Sequence, residues 1–285
     1  MNVDQIKSWL PERWRSSGPV IPVVRMTGAI GMSTPLRPGM SLASVAGPLK
    51  KAFSFKKAPA VAILINSPGG SPVQSRQIHD RIRALAEEKE KEVIVFIEDV
   101  AASGGYMIAV AGDEIYADPS SIVGSIGVVA AGFGFEKAIE KLGVSRRVYT
   151  SGQRKVILDA FQPENKKDIA HVKALQKEMH ETFIDLVKER RGAALGDDEE
   201  LYSGLFWTGL RAHDFGLIDG IGDMRATLKE KYGEDARPKL VSADRGFFMH
   251  RPGGVSLDLG SISASLPGDL ISAIEERAMW SRYGL

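Results

Sequence analysis

Apolar runs that end in glycine turns and pass into helical patterns recur along this chain, and the fullest example is residues 93–111, VIVFIEDVAASGGYMIAVA. Its first half reads as a buried strand. Tyr106, Met107, Ala109 and Val110 begin a buried helix, and Ser103 stands at the turn between them, followed at once by Gly104 and Gly105. The same grammar appears earlier, where a strand at 61–65 empties into INSPGGSP (65–72) and then a helix at 73–88 with Val73, Ile78, Ile82 and Leu85 on one face. The pattern also predicts a strand at 20–30, a loop to Pro38, a helix at 41–53, strands at 114–117 and 123–130, a short helix at 135–142 and a short strand at 147–150. Ile169, Val172, Leu175, Met179, Phe183, Leu186 and Val187 recur at three- and four-residue spacing. They predict a long helix over 164–191, opened by Pro163 and closed by Gly192. A strand at 205–207, a helix at 210–215 closed by Gly216 and a helix at 223–232 follow. Successive β-β-α units joined by right-handed crossovers argue for an α/β spiral of strands with helices on the outside.

Three regions emerge. Residues 1–19 form an N-terminal arm with two tryptophans, broken by Pro11; residues 20–235 form the body; residues 236–285 form an extension, with a Gly- and Ser-rich loop at 251–268 and an amphipathic helix candidate at 269–280.

Composition narrows the chemistry. The 37 Lys and Arg against 36 Asp and Glu leave a net charge of +1, so the sustained basic field that nucleic acid binding needs is missing, and no nucleic acid partner is expected. The chain has no cysteine, which excludes disulfides, thiol nucleophiles and cysteine-ligated zinc. His171 and His180 are nine positions apart and match no ligand spacing, so neither a metal nor another cofactor is expected. No apolar run reaches the roughly 18–20 residues that span a bilayer, and the N-terminus lacks a secretory apolar stretch. The expectation is a soluble cytoplasmic chain. The arm and the extension are the segments that would serve any peripheral contact with the inner membrane.

Ser103 has two readings. At a helix N-terminus its oxygen is favoured as a nucleophile by the helix dipole, and the same position suits an ordinary N-cap serine. The Gly69-Gly70 turn is either a plain tight turn or a source of amide donors for an oxyanion, each worth about 3–4 kcal/mol in a transition state. A base must then be found. None of His79, His171, His180, His213 and His250 lies in a stretch that reads as a site loop. Lys155, in SGQRKVILDAF (151–161), stands against Val156, Ile157 and Leu158 and beside Arg154, surroundings that favour a neutral amine. A Ser-Lys dyad also uses a hydroxyl to orient the amine, and Ser125 in GSIG offers one.

The stretches INSPGG (65–70), EDVAASGGYMIA (98–109), ADPSSIVGSIGV (117–128), TSGQRK (150–155) and FWTGLRAHDFGLIDGIG (206–222) occur in an order that resembles the signal peptide peptidase A, or protease IV, family. The resemblance runs from about residue 20 to about residue 232. It implies a ClpP/crotonase-like fold and a Ser-Lys serine endopeptidase without a cofactor. By motif it places the nucleophile on Ser103, the base on Lys155, the lysine-orienting hydroxyl on Ser125 and an oxyanion amide on Gly70, with the amide of Ser103 or Gly104 as the second donor. In the better-known members the dyad forms across protomers or tandem domains, which implies a homo-oligomeric ring with sites near subunit interfaces. The implied substrates are extended apolar peptides such as signal-peptide remnants. Two features depart from the pattern: the sequence shows no N-terminal membrane anchor, and Val156 follows the lysine where relatives often carry an acid. Two other classes remain as alternatives, a crotonase-like acyl-thioester enzyme and a non-catalytic oligomeric scaffold.

Overall fold

Strands buried on both faces need apolar residues at nearly every position, and two central segments of this chain supply them. The computed structural model describes residues 18–31, 39–152, 154–242, 274 and 276–285. In chain order its elements are β1 (Val20–Thr27), α1 (Leu42–Phe53), β2 (Ala60–Ser67), α2 (Pro72–Lys89), β3 (Glu92–Ala102), α3 (Gly104–Ala109), β4 (Glu114–Ala117), β5 (Ile122–Gly124), α4 (Glu136–Lys141), α5 (Lys166–Arg191), β6 (Phe206–Thr208), α6 (Gly209–Asp214), β7 (Gly220–Ile221), α7 (Met224–Tyr232) and β8 (Arg237–Leu240). The strands form one sheet in the order β6-β5-β3-β2-β1-β8, with β4 and β7 branching from β3. Every pairing is parallel except β5 with β6. This is an α/β fold of the ClpP/crotonase-like kind.

Alternate residues of the central strands feed opposite faces. Val61, Ile63 and Ile65 of β2 join Val93, Val95 and Ile97 of β3 in the larger core, beneath α1, α2, α3 and the second half of α5. Ala60 and Ala62 join Ile94, Phe96 and Leu228 of α7 in a smaller core on the other side. Strand β3 is the longest, at 11 residues, and it has two partners on one edge. Its first half pairs with β4 from Ile94↔Glu114 to Ile97↔Ala117, and its last residues pair with β5 from Val100↔Ile122 to Ala102↔Gly124. The sheet therefore forks along β3, and the end of β3 is held between β2 and β5.

Several expectations change. The strand predicted at 123–130 stops at Gly124, because Ser125 takes φ 55° and leaves the extended conformation. No strand forms at 147–150, where Tyr149 is 90% exposed and no strand among the described residues is available to pair. Helix α5 forms as predicted, with Asn165 accepting at its N-terminus from the Lys167 amide, but only Phe183, Leu186 and Val187 of its apolar stripe are buried, and Leu175 and Met179 stay exposed. On α2, Val73 is exposed while Ile78, Ile82 and Leu85 face the core. The sequence pattern predicts no strand where β8 forms. This strand pairs in parallel with β1 and carries the sheet beyond residue 235, with Pro238 tolerated because the strand is an edge. The N-terminal arm lies outside the described residues apart from its last two, and the 251–268 loop lies wholly outside them. Of the 269–280 helix candidate, the described part is helical at 274 and over 276–280.

Helix α3 is pinned by one buried bond. Tyr106 is fully buried and its Oη donates to the Leu217 carbonyl at 2.7 Å, so burial pushes the phenol well above its ordinary pKa. Tyr106→Phe leaves that carbonyl without its donor, and we expect a loss of about 1–3 kcal/mol in urea unfolding at an unchanged m-value.

Candidate active site

The turn between β3 and α3 carries a backbone conformation that a serine adopts only under compulsion. Ser103 has φ 52° and ψ −121°, outside the regions comfortable for a residue with a Cβ. Its side chain makes no capping hydrogen bond, so the N-cap reading does not account for the hydroxyl. The strain is enforced from both sides. The Ser103 amide donates to the Gly124 carbonyl of β5 at 2.9 Å, and the Ser103 carbonyl accepts from Met107 of α3 at 3.0 Å. The residues of α3 are all buried, which leaves the chain no room to relax.

The Gly69-Gly70 turn is packed directly onto this serine. A Cβ on Gly69 would lie 2.8 Å from the Ser103 Cβ, and one on Gly70, at φ 140°, would lie 2.1 Å from the Ile30 carbonyl oxygen. Ile30 straddles the turn, donating to the Gly69 carbonyl and accepting from the Ser71 amide, each at 2.8 Å. The Gly70 amide between them finds no acceptor among the described residues. The Gly104 amide opens α3 and so has no acceptor one turn back. The two amides are neighbours, since a Cβ on Gly104 would lie 3.4 Å from the Gly70 nitrogen. Because the Ser103 amide is committed to Gly124, Gly104 is the better second donor.

Ser125 lies one residue beyond the last β3–β5 pair, Ala102↔Gly124, and the chain leaves the sheet there at φ 55° with the residue buried. Its amide donates to the Leu205 carbonyl at 2.7 Å, and the Tyr283 hydroxyl lies 3.4 Å from its Oγ. Register thus sets Ser125 beside the Gly124 carbonyl that fixes Ser103.

Lys155 is placed differently. It is exposed, sits in a turn where its amide donates to the Gly152 carbonyl at 3.2 Å, and is absent from the lining of the Ser103 cleft. The desolvation expected from Val156, Ile157 and Leu158 is not supplied within the single chain. Its segment is organised all the same. Arg146 pairs with Asp159 at 2.9 Å and lies 4.9 Å from the centre of the Phe161 ring. The Phe161 amide, and after it Arg146, hold the Asp159 carboxyl below its usual range. Phe133, Leu142 and Tyr149 on this segment are largely exposed.

The cleft at Ser103 encloses about 280 Å³. Gly70, Ser103 and Gly104 form one wall; Met107, Val128, Val129, Met179 and Phe183 make it apolar; and Met279, Arg282 and Tyr283 close one side. No histidine among the described residues lines it. His79 is buried on α2, where burial lowers its pKa against the opposing hydrogen bond with Asp80 at 2.9 Å, while His171 and His213 are exposed and His250 lies outside the described residues. His180 has a role that its place in a helical pattern does not disclose: its Nε2 lies 3.0 Å from the Ile126 carbonyl and braces the segment after Ser125. Nothing in the sequence ties residue 283 to residue 125, so the contact of Tyr283 emerges only from the fold. Among the described residues no group of three or more His, Asp or Glu side chains is placed to hold a metal ion.

The model of peptidase family S49 matches residues 85–236, more than half of the chain and all of the β3–α3 turn. The chain belongs to peptidase family S49. It is similar to the "Serine protease SPPA, chloroplastic" of Arabidopsis thaliana, 33% identical over 87% of this chain and 37% of that one, and to "Protease 4" of Salmonella typhi, 29% identical over 91% and 41%. A protein of Brucella abortus named "Na(+)/H(+) antiporter NhaA" is 58% identical over 98% of this chain and 39% of its own length. The chain thus spans about two fifths of the length of these relatives.

The strain at Ser103 has a measurable consequence in this S49 chain. Glycine adopts φ 52° without a Cβ penalty, so Ser103→Gly is expected to raise stability by about 1 kcal/mol while removing the hydroxyl. Urea midpoints of the two proteins test this.

Proposed function

We propose that the chain is a serine endopeptidase in which Ser103 attacks a peptide carbonyl and Lys155, brought by a neighbouring copy, serves as its base. The observation that carries the reading is the strained, uncapped Ser103 beside the amides of Gly70 and Gly104, which find no acceptor among the described residues. Strain of this kind persists where a site uses it. A thioester enzyme or a scaffold would leave the Ser103 conformation without a purpose.

The steps follow from the groups present. The lysine amine, removed from water on docking and therefore favoured as neutral, takes the Ser103 proton as Oγ bonds to the carbonyl carbon. The amides of Gly70 and Gly104 receive the oxyanion. The lysine then gives its proton to the leaving amine. Water, deprotonated by the same lysine, attacks the acyl-serine, and the Ser103 hydroxyl is restored. Ser125, which follows the Gly124 whose carbonyl fixes Ser103, accepts from the amine and orients it in this reading.

Two features support a dyad shared between copies. Lys155 is exposed and outside the cleft, and its segment leaves Phe133, Leu142 and Tyr149 uncovered, a surface suited to lie on another subunit of a ring. The apolar wall of Met107, Val128, Met179 and Phe183 supports apolar side chains in extended peptides, signal-peptide remnants among them. The antiporter named in the Brucella relative is a weaker guide, since the S49 match covers this chain itself and no helix among the described residues is long and apolar enough to cross a membrane.

Ser103→Ala and Lys155→Ala should each lower cleavage of an unstructured apolar peptide by at least about a thousandfold. Mixed in equal amounts and allowed to reassemble, the two inactive variants should recover roughly a quarter of wild-type turnover if each site draws on two chains. Full activity in either single variant sinks the dyad, and no recovery on mixing argues for a site within one chain.

A further inference from the structure

One side of the cleft is closed by residues 279, 282 and 283. Tyr283 is buried against Val100 and Ala102, the residues of β3 that lead into Ser103, and meets Phe206 edge-on at 4.9 Å. Its hydroxyl lies 3.4 Å from Ser125 Oγ, and Met279 and Arg282 of the same segment line the cleft.

We propose that residues 276–285 form an intramolecular plug that occupies the seat at Ser125 that Lys155 must take. The inference rests on the dyad reading above. Ser125 is only 5% exposed, and the buried Tyr283 sets its own hydroxyl beside the Ser125 Oγ, where an orienting contact to an amine would have to form. The two occupants exclude one another. The plug is also light enough to leave: Tyr283 is its buried anchor, Trp280 packs partly against the same cluster, and residues 277, 278, 281, 282, 284 and 285 are exposed. A segment with so many exposed residues opens at low cost compared with the sheet behind it. Release of the plug and arrival of the lysine segment are then one exchange.

The test uses the full chain with Tyr283→Phe and Tyr283→Ala, each with and without Lys155→Ala, and measures apolar-peptide turnover and Ser103 labelling by a fluorophosphonate. Tyr283→Phe removes only the hydroxyl contact and should raise turnover by roughly two- to tenfold. Tyr283→Ala empties the seat and should raise it further, and Lys155→Ala should abolish the gain in both. If Tyr283→Ala turns over no faster than an active wild type while Lys155→Ala is dead, the plug is overturned and the dyad stands. If the Tyr283 variants are faster but indifferent to Lys155→Ala, the dyad and the shared seat both fall. If no variant cleaves or labels, both readings fail together. Circular dichroism of Tyr283→Phe, which keeps the ring packing, separates loss of the plug from loss of the fold.

Discussion

Everything at the site depends on the left-handed backbone of Ser103, and that conformation is a product of the fork in the sheet. A β3 paired along its whole length with one strand would continue straight past residue 102. Here β4 holds the first half of the strand and β5 the last residues, and the Gly124 carbonyl of β5 captures the Ser103 amide. The chain must turn at once into α3, whose burial blocks any retreat. The strained serine is therefore maintained by the packing of the larger core.

The two sides of the chemistry are built differently. Serine and amides belong to the sheet ends and buried turns, where Ile30 fixes Gly70 and close packing leaves no space for a Cβ. The lysine belongs to an exposed segment whose internal order comes from an ion pair and a few aromatic contacts. Rigid preorganisation matters most for groups that meet developing charge. In the proposed dyad the proton carrier tolerates delivery from elsewhere, provided a seat such as Ser125 fixes its final position.

What the sequence reveals follows the same division. The turns at 65–72 and 98–109 are legible because local glycine, strand and helix signals coincide there, and because apolar periodicity marks β2, β3 and α2. Residues 147–150 mislead because β-branched and aromatic side chains suggest a strand, although a strand needs a partner and none among the described residues lies beside them. Leu175 and Met179 mislead in the opposite sense: their spacing belongs to a buried stripe, yet that half of α5 extends past the core. Strand β8 and the Tyr283–Ser125 contact are illegible because each depends on segments far apart in sequence. The commitment of the Ser103 amide to Gly124 belongs to the same class, and only the fold distinguishes Gly104 from Ser103 as the second donor.

A serine whose base is proposed to come from a neighbouring copy poses a problem of control, and the proposed answer is a single buried hydroxyl. In the single chain Ser125 meets Tyr283, which closes one side of the cleft, and Lys155 lies outside it. In the proposed exchange an approaching lysine segment offers its amine to the same hydroxyl in place of the tyrosine. It also brings an apolar surface that gains by being covered. Exchange is thus favoured only where assembly supplies both terms at once. On this reading, activity is tied to assembly through competition for one oxygen atom, and the strain stored at Ser103 stays unused until that competition is decided.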